Sequence, residues 1–295
     1  MRFCRFGEGR LGLVEGSTVR DVTGALEAIP HGYTYPLPTH DLFVANLKQV
    51  AERACALRDT APSLPVDELT LLSPVANPGK IIAAPVNYKK HAQEVRENPA
   101  LHNNNPALLQ SINTIGLFLK ATSSLAGPGE GIHLRKLERR NDHEVELAFV
   151  IGKTGNNIPA REALEYVAGY AIGLDITIRG SEDRSFRKSP DSYSILGPWL
   201  VTADEIPEPG ELDLSITVNG ELRQKSNTDN MILGVAELIE FASSFYTLYP
   251  GDIFMTGTPE GVSQIAPGDV IVATVEKIGA MRVQVRAAEM ASAAS

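Results

Sequence analysis

Glu144 and Glu146 stand two residues apart in Asp142-His143-Glu144-Val145-Glu146-Leu147, at the head of an apolar run that ends at Ile151. In a strand, side chains alternate faces with period two, so both carboxylates lie on one face as near neighbours. Carboxylates that close repel unless a proton or a cation intervenes. Oxygen donors of this kind suit Mg²⁺, Mn²⁺ or Ca²⁺; the alternative is a strand whose acidic face meets solvent. Asp175 sits in Tyr170-Ala171-Ile172-Gly173-Leu174-Asp175-Ile176, an otherwise apolar stretch. A carboxylate buried alone is costly, so it must be protonated, paired or bound to a cation. Arg179, four residues on, offers an ion pair. Convergence on Glu144 and Glu146 would instead make Asp175 a third metal ligand.

His91 forms a second centre, in Asn87-Tyr88-Lys89-Lys90-His91-Ala92-Gln93-Glu94. If residues 89–97 are helical, His91 and Glu94 are i, i+3 neighbours. An imidazole oriented by a carboxylate is a general base; the alternative is an ordinary surface pair. The third feature is Phe254-Met255-Thr256-Gly257-Thr258-Pro259-Glu260-Gly261-Val262. Two glycines and a proline at a strand end make a tight loop whose N–H groups can hold an anion. The chain has neither a G-x-S-x-G elbow nor a G-x-x-x-x-G-K-[ST] phosphate loop.

The elements that must position these residues are mostly strands. Residues 2–6, 11–14 and 18–22 read as a small antiparallel meander separated by glycine turns. Its Gly7-Glu8-Gly9-Arg10-Leu11-Gly12 matches the dinucleotide fingerprint, but that fingerprint needs a long helix after the loop. Gly16, Thr18 and Val19 forbid one. Residues 39–59 predict a helix capped by Thr39 or Asp41, with Phe43, Leu47, Val50, Ala54 and Leu57 on one stripe. Pro62, Pro65, Pro74 and Pro78 then mark a connector and the domain boundary. The expected division is a small N-terminal α+β module, 1–75, and a main catalytic domain, 76–290.

In the main domain, 80–86, 144–151, 168–178 and 199–202 read as buried strands. Residues 212–218 and 221–224 flank Asn219-Gly220, a two-residue hairpin signal. Residues 231–248 read as an amphipathic helix bearing Ile232, Val235, Leu238, Ile239, Ala242 and Phe245. Residues 98–113 are Asn-rich, Pro-containing and aperiodic, which marks a lid candidate.

Composition bounds the function. The 295 residues predict roughly two domains. A net charge of −9 argues against a general nucleic-acid or anionic-membrane binder. Two cysteines, Cys4 and Cys55, exclude a disulfide framework and a Cys-rich zinc site. The opening residues carry no apolar signal region, and no apolar run approaches a membrane span. The expectation is a reduced, cytoplasmic protein without nucleic-acid or membrane partners.

Taken together, the motifs resemble the fumarylacetoacetate hydrolase family. The resemblance is carried by Lys80-Ile81-Ile82 with Asn87-Tyr88 and His91-Ala92-x-Glu94; by Phe118-Leu119-Lys120 with Ser123-Ser124; by Glu144-Val145-Glu146-Leu147; and by Gly169-Tyr170 through Asp175. Lys188-Ser189 with Leu196-Gly197-Pro198-Trp199, Val218-Asn219-Gly220, and Gly257-Thr258-Pro259-x-Gly261-Val262 complete it in the family's order. It implies a strand-rich α+β fold, a mixed β-roll or β-sandwich of the fumarylacetoacetase C-terminal type. It implies Glu144, Glu146 and Asp175 as ligands of Mg²⁺ or Mn²⁺, and His91 and Glu94 as a water-activating dyad. Lys188 would contact the substrate carboxylate, and Lys120, Arg179 and Gly257 join Thr258 as substrate-binding candidates.

The reaction implied is cleavage of a C–C bond in an acylpyruvate, a fumarylpyruvate-like 2,4-dioxo acid, through an enolate held at the ion. Such a step belongs to aromatic or small-acid catabolism, and the family implies a homodimer. Decarboxylation, isomerisation or hydration of related 2-oxo acids follows the same enolate logic. An inactive, metal-stabilised scaffold is the non-enzyme reading. Pro85 stands where the family usually has Gly, Ala121 where Pro, Lys90 where Asp, Gly180 where Asp and Glu182 where Gln. These departures alter the pocket wall and touch neither a metal ligand nor the dyad.

Overall fold

A computed structural model describes residues 1–30, 35, 37–102 and 109–289. Among these the chain is a strand-rich α+β protein built around one long mixed sheet. At its centre the strands Val145–Ile151 and Val167–Asp175 run antiparallel, with Glu146 opposite Gly173 and Leu147 opposite Ile172. Ser194–Thr202 and then the N-terminal strand Arg2–Phe6 extend the sheet from the Val167–Asp175 side. Ile253–Met255 and, parallel to it, Ile81–Ala83 extend it on the other.

Val145–Ile151 is buried at every position, as expected of a strand packed on both faces. Its odd residues, Val145, Leu147, Phe149 and Ile151, join a core shared with a second, five-stranded sheet through Ile216, Ala273 and Val283. Its even residues, Ala148 and Val150, face the other way, toward Phe43, Val50 and Ala54 of the N-terminal helices. Glu144 and Glu146 share the parity of that second face. They lie where the apolar lining gives out, at the end of the strand.

The meander forms as the alternation predicts, in strands Arg2–Phe6, Arg10–Glu15 and Thr18–Asp21. Its G-x-G-x-x-G segment is a hairpin turn leading into a strand, where a Cβ on Gly12 would meet Val19 at 2.2 Å. The Asn219-Gly220 turn also forms, with φ of 52° and 83° joining Asp213–Val218 to Glu221–Asn227.

Two expected helices are interrupted. The one predicted over 39–59 breaks into Leu42–Ala45 and Leu47–Leu57, because Asn46 turns its side chain back onto the Leu42 carbonyl at 2.8 Å. Asp41, not Thr39, caps it, accepting from the Val44 N–H at 3.0 Å, while its other oxygen takes the N–H groups of Ala76 and Asn77. The helix predicted over 231–248 is shortened to Val235–Ser243. Met231 is drawn into a bridge with Tyr88, and the Leu233 N–H donates to Asn87 Oδ1. Phe245 falls outside the helix and is 75% exposed.

In the lid candidate 98–113, helical turns occupy Pro99–His102 and Ile112–Ile115, and residues 103–108 lie outside the described residues. Among the described residues no helix is long and apolar enough to cross a membrane.

Candidate active site

Strand register assembles the three acids. Asp175 donates its backbone N–H to the Glu144 carbonyl at 3.0 Å, so the two residues meet across the central strand pair. Glu146 follows on the same face, opposite Gly173. Oxygens of Glu144, Glu146 and Asp175 all lie within 4.8 Å of one another, and all three residues are buried. Three hard anionic donors converging in a dry place fit a divalent cation by charge and by ligand type.

Each acid is held in place. Glu144 Oε1 accepts from Thr177 Oγ1 at 3.0 Å and from Arg179 Nη2 at 3.1 Å, and Oε2 accepts from Lys188 Nζ at 2.6 Å. The Lys188 ammonium also donates to Asp175 Oδ2 at 2.7 Å, bridging two of the three acids. Lys120 is buried against Asp175 Oδ1 and donates to the Tyr193 carbonyl at 2.7 Å. Glu146 Oε2 accepts from the Gly257 N–H at 2.7 Å. Gly257 has φ of 93°, and a Cβ there would stand 2.8 Å from the Asn87 Cβ, so glycine is needed on both counts.

The cluster is electrostatically uneven. Burial opposes the charge of Glu144, but the ammonium of Lys188 and the guanidinium of Arg179 outweigh it and hold the carboxyl at about 2. Glu146 is pushed the other way, by burial and then by the charges of Asp175 and Glu144. With no cation within ion-pair distance among the described residues, it must keep a proton or meet a metal ion. Burial also pulls Lys120 down, against the pull of Asp175.

The second centre approaches from a helix. Lys89–Glu97 forms as the spacing predicts, and His91 Nδ1 meets Glu94 Oε2 at 2.8 Å. Glu94 Oε1 accepts from the Gly261 N–H at 3.1 Å, which ties the dyad to the Thr-Gly-Thr-Pro loop. Upstream, Val86 has φ of 49°, a strained conformation for a β-branched residue. Asn87 holds this turn, donating to the carbonyls of Leu233 and Thr256 at 2.8 Å and accepting from the Leu233 N–H.

His91, Glu144, Glu146, Arg179, Lys188 and Thr258 line one cavity of about 50 Å³, closed on its apolar side by Ala84, Pro85, Val86, Val95 and Leu101. A larger cleft of about 840 Å³ lies against Leu119, Ile178 and Phe186; none of the three acids lines it. Thr258 Oγ1 donates to the Val145 carbonyl at 2.9 Å and accepts from Gln224.

Arg179 does not pair with Asp175. Its Nε donates to Asp142 at 2.7 Å and its Nη2 to Glu144, so Asp175 takes its cations from Lys120 and Lys188 instead. Sequence reasoning missed Gln224, whose amide binds His143, the Val145 N–H, Thr258 and the Pro259 carbonyl. The only signal was its place as an inward position on a largely exposed hairpin strand. Beside it, burial pulls His143 down to about 4, a neutral core histidine rather than part of the dyad. Arg184 and Arg187, which also line the cavity, were missed as well.

Residues 80–286 match the fumarylacetoacetate (FAA) hydrolase C-terminal family. Maleylpyruvate hydrolase of Aquipseudomonas alcaligenes is 58% identical over 97% of this chain and 99% of its own. A 2,4-didehydro-3-deoxy-L-rhamnonate hydrolase of Sphingomonas sp. (strain SKA58) is 36% identical over 97% of this chain and 96% of its own. Among solved structures, maleylpyruvate hydrolase from Sphingobium sp. SYK-6, in complex with manganese(II) and pyruvate, superposes with a TM-score of 0.82. It has 36% identity, covering 98% of this chain and 100% of that one. The chain belongs to the fumarylacetoacetate hydrolase family and is a hydrolase acting on C–C bonds.

Proposed function

We propose that this enzyme hydrolyses the C–C bond of an acylpyruvate of the maleylpyruvate type, with Mg²⁺ or Mn²⁺ held by Glu144, Glu146 and Asp175. The observation that carries the reading is a carboxylate-oriented imidazole lining the same cavity as Glu144 and Glu146, two members of a buried acid triad that Asp175 completes. The relative at 58% identity is named for this reaction, and a solved relative holds manganese with pyruvate. When bound, a divalent cation supplies Lewis-acid polarisation of the 2-oxo group.

The chain's own residues do the rest. A histidine bonded through Nδ1 to Glu94 carries its proton there and keeps Nε2 as the base. His91 then takes a proton from water as the oxygen attacks the distal carbonyl. The bond between the acyl and pyruvate halves breaks, its electron pair stays with the pyruvate half, and a proton returns there to give pyruvate. Lys188 offers an ammonium to the 2-oxo acid's carboxylate, and the Gly257 N–H fixes Glu146. Arg179, pinned between Asp142 and Glu144, orients that acid rather than the substrate.

A reaction that needs only the metal and Lys188, such as decarboxylation of oxaloacetate, has no water to activate. His91→Ala is therefore the test. Acylpyruvate cleavage should fall by about 10²–10⁴-fold, the usual contribution of a general base, while any oxaloacetate decarboxylation falls much less. Intact acylpyruvate cleavage in that variant would overturn the hydrolytic role of the dyad.

A further inference from the structure

The cations on the cavity wall fall into two sets. Arg179 and Lys188 are each bonded to two carboxylates. Arg184 and Arg187 have no carboxylate within ion-pair distance among the described residues. They stand three apart on the single helical turn Arg184–Arg187, which Asp183 caps through the Ser185 N–H at 2.8 Å. That spacing puts both guanidinium groups on one side of the turn.

Arg187 is only 6% exposed. Its Nη1 donates to the Ile178 carbonyl at 3.3 Å, and its buried Nε has no partner among the described residues. Arg184 lays its guanidinium over the Phe118 ring at 5.7 Å, an arrangement that steers the group and leaves its N–H donors free of any acid. Burial lowers both guanidinium groups, Arg187 to about 10, and a guanidinium in a protein keeps its proton near neutral pH. An unpaired cation with an unmet donor this deep is costly by itself. It makes sense if an anion completes it.

The charges define the anion. The 2-oxo acid end of the substrate has Lys188, next in sequence to Arg187. Two further positive charges then face a cavity whose apolar side is Ala84, Pro85, Val86, Val95 and Leu101. We infer that Arg184 and Arg187 form a receptor for a second carboxylate at the far end of the acyl chain, selecting dicarboxylic acylpyruvates over those with a neutral acyl group. Arg presents a planar fork of donors that matches a carboxylate in two bonds.

This inference rests on the proposed reaction, and its test separates the two. In Arg184→Gln, kcat/KM for maleylpyruvate should fall by at least about tenfold, the effect of losing one hydrogen bond to a charged group, while acetylpyruvate changes by less than about threefold. Arg187→Lys, which keeps the buried charge but not the fork, should shift the same ratio in the same direction. Calorimetric titration of maleate into the Mg²⁺-loaded protein gives a readout without turnover. Maleate affinity should drop about tenfold in Arg184→Gln, with acetate affinity unchanged. Equal losses on maleylpyruvate and acetylpyruvate, or unchanged maleate affinity, would overturn the receptor. Wild-type protein that binds maleate through Arg184 yet cleaves neither acylpyruvate would sink the reaction and leave the receptor standing.

Discussion

The acid triad and the His91–Glu94 dyad meet at one cavity, which Glu144, Glu146 and His91 line, but are built on different principles. Glu144 and Asp175 are locked by the backbone pairing of two central strands, and Glu146 by a loop N–H. All three are buried, and buried cations hold two of them. The dyad rides on a nine-residue helix that enters through a strained Val86, and the Glu94 side chain is 26% exposed. One centre is set by sheet register, which cannot shift by a residue without turning every side chain over. The other is set by a short helix and a few hydrogen bonds, so it has room to adjust when substrate enters a cavity of about 50 Å³. Under the proposed mechanism, the difference separates a rigid charge-holding half from an adaptable proton-moving half.

Substitutions can break that contrast. The largest effect should come from Glu146→Gln, which keeps the shape but removes the charge most in need of a cation. Turnover should drop to background, Mg²⁺ binding should vanish by calorimetry, and the urea midpoint should hold. Unchanged Mg²⁺ affinity would remove Glu146 from the metal site. Next in size is Lys120→Met, which strips a buried carboxylate of a direct partner. It should destabilise the metal-free protein by about 3–5 kcal/mol in urea unfolding. By contrast, Glu94→Gln should cost less than about 1 kcal/mol, because its ion pair is partly exposed, yet it should slow turnover, more mildly than His91→Ala. Equal destabilisation by the two changes would contradict the division into rigid and adaptable halves.

Much of the triad half was legible from local pattern. Period two put Glu144 and Glu146 on one face, and the apolar company of Asp175 marked it as a carboxylate needing a partner. Which partner was not legible, because Lys120 reaches Asp175 across 55 residues, whereas the nearer Arg179 is taken by Asp142 and Glu144. Long-range pairing decides such contacts, and sequence spacing carries no trace of it. The dyad was legible because i, i+3 spacing is local. The arginine turn was not, since Glu182-Asp183-Arg184-Ser185-Phe186-Arg187 reads as an ordinary polar surface stretch. Helix ends failed for a related reason. Asn46 and Met231 are drawn off helical geometry by partners the periodicity cannot see, the first by its own side chain and the second by Tyr88.

The central claim is that the triad holds a divalent cation on which acylpyruvate cleavage depends. Its most direct test is maleylpyruvate turnover by the wild-type enzyme after EDTA treatment, with residual metal measured, and again after adding Mg²⁺ or Mn²⁺. The account predicts turnover at background in the stripped enzyme and recovery with either ion. Full turnover by an enzyme measured to be free of divalent metal would contradict it.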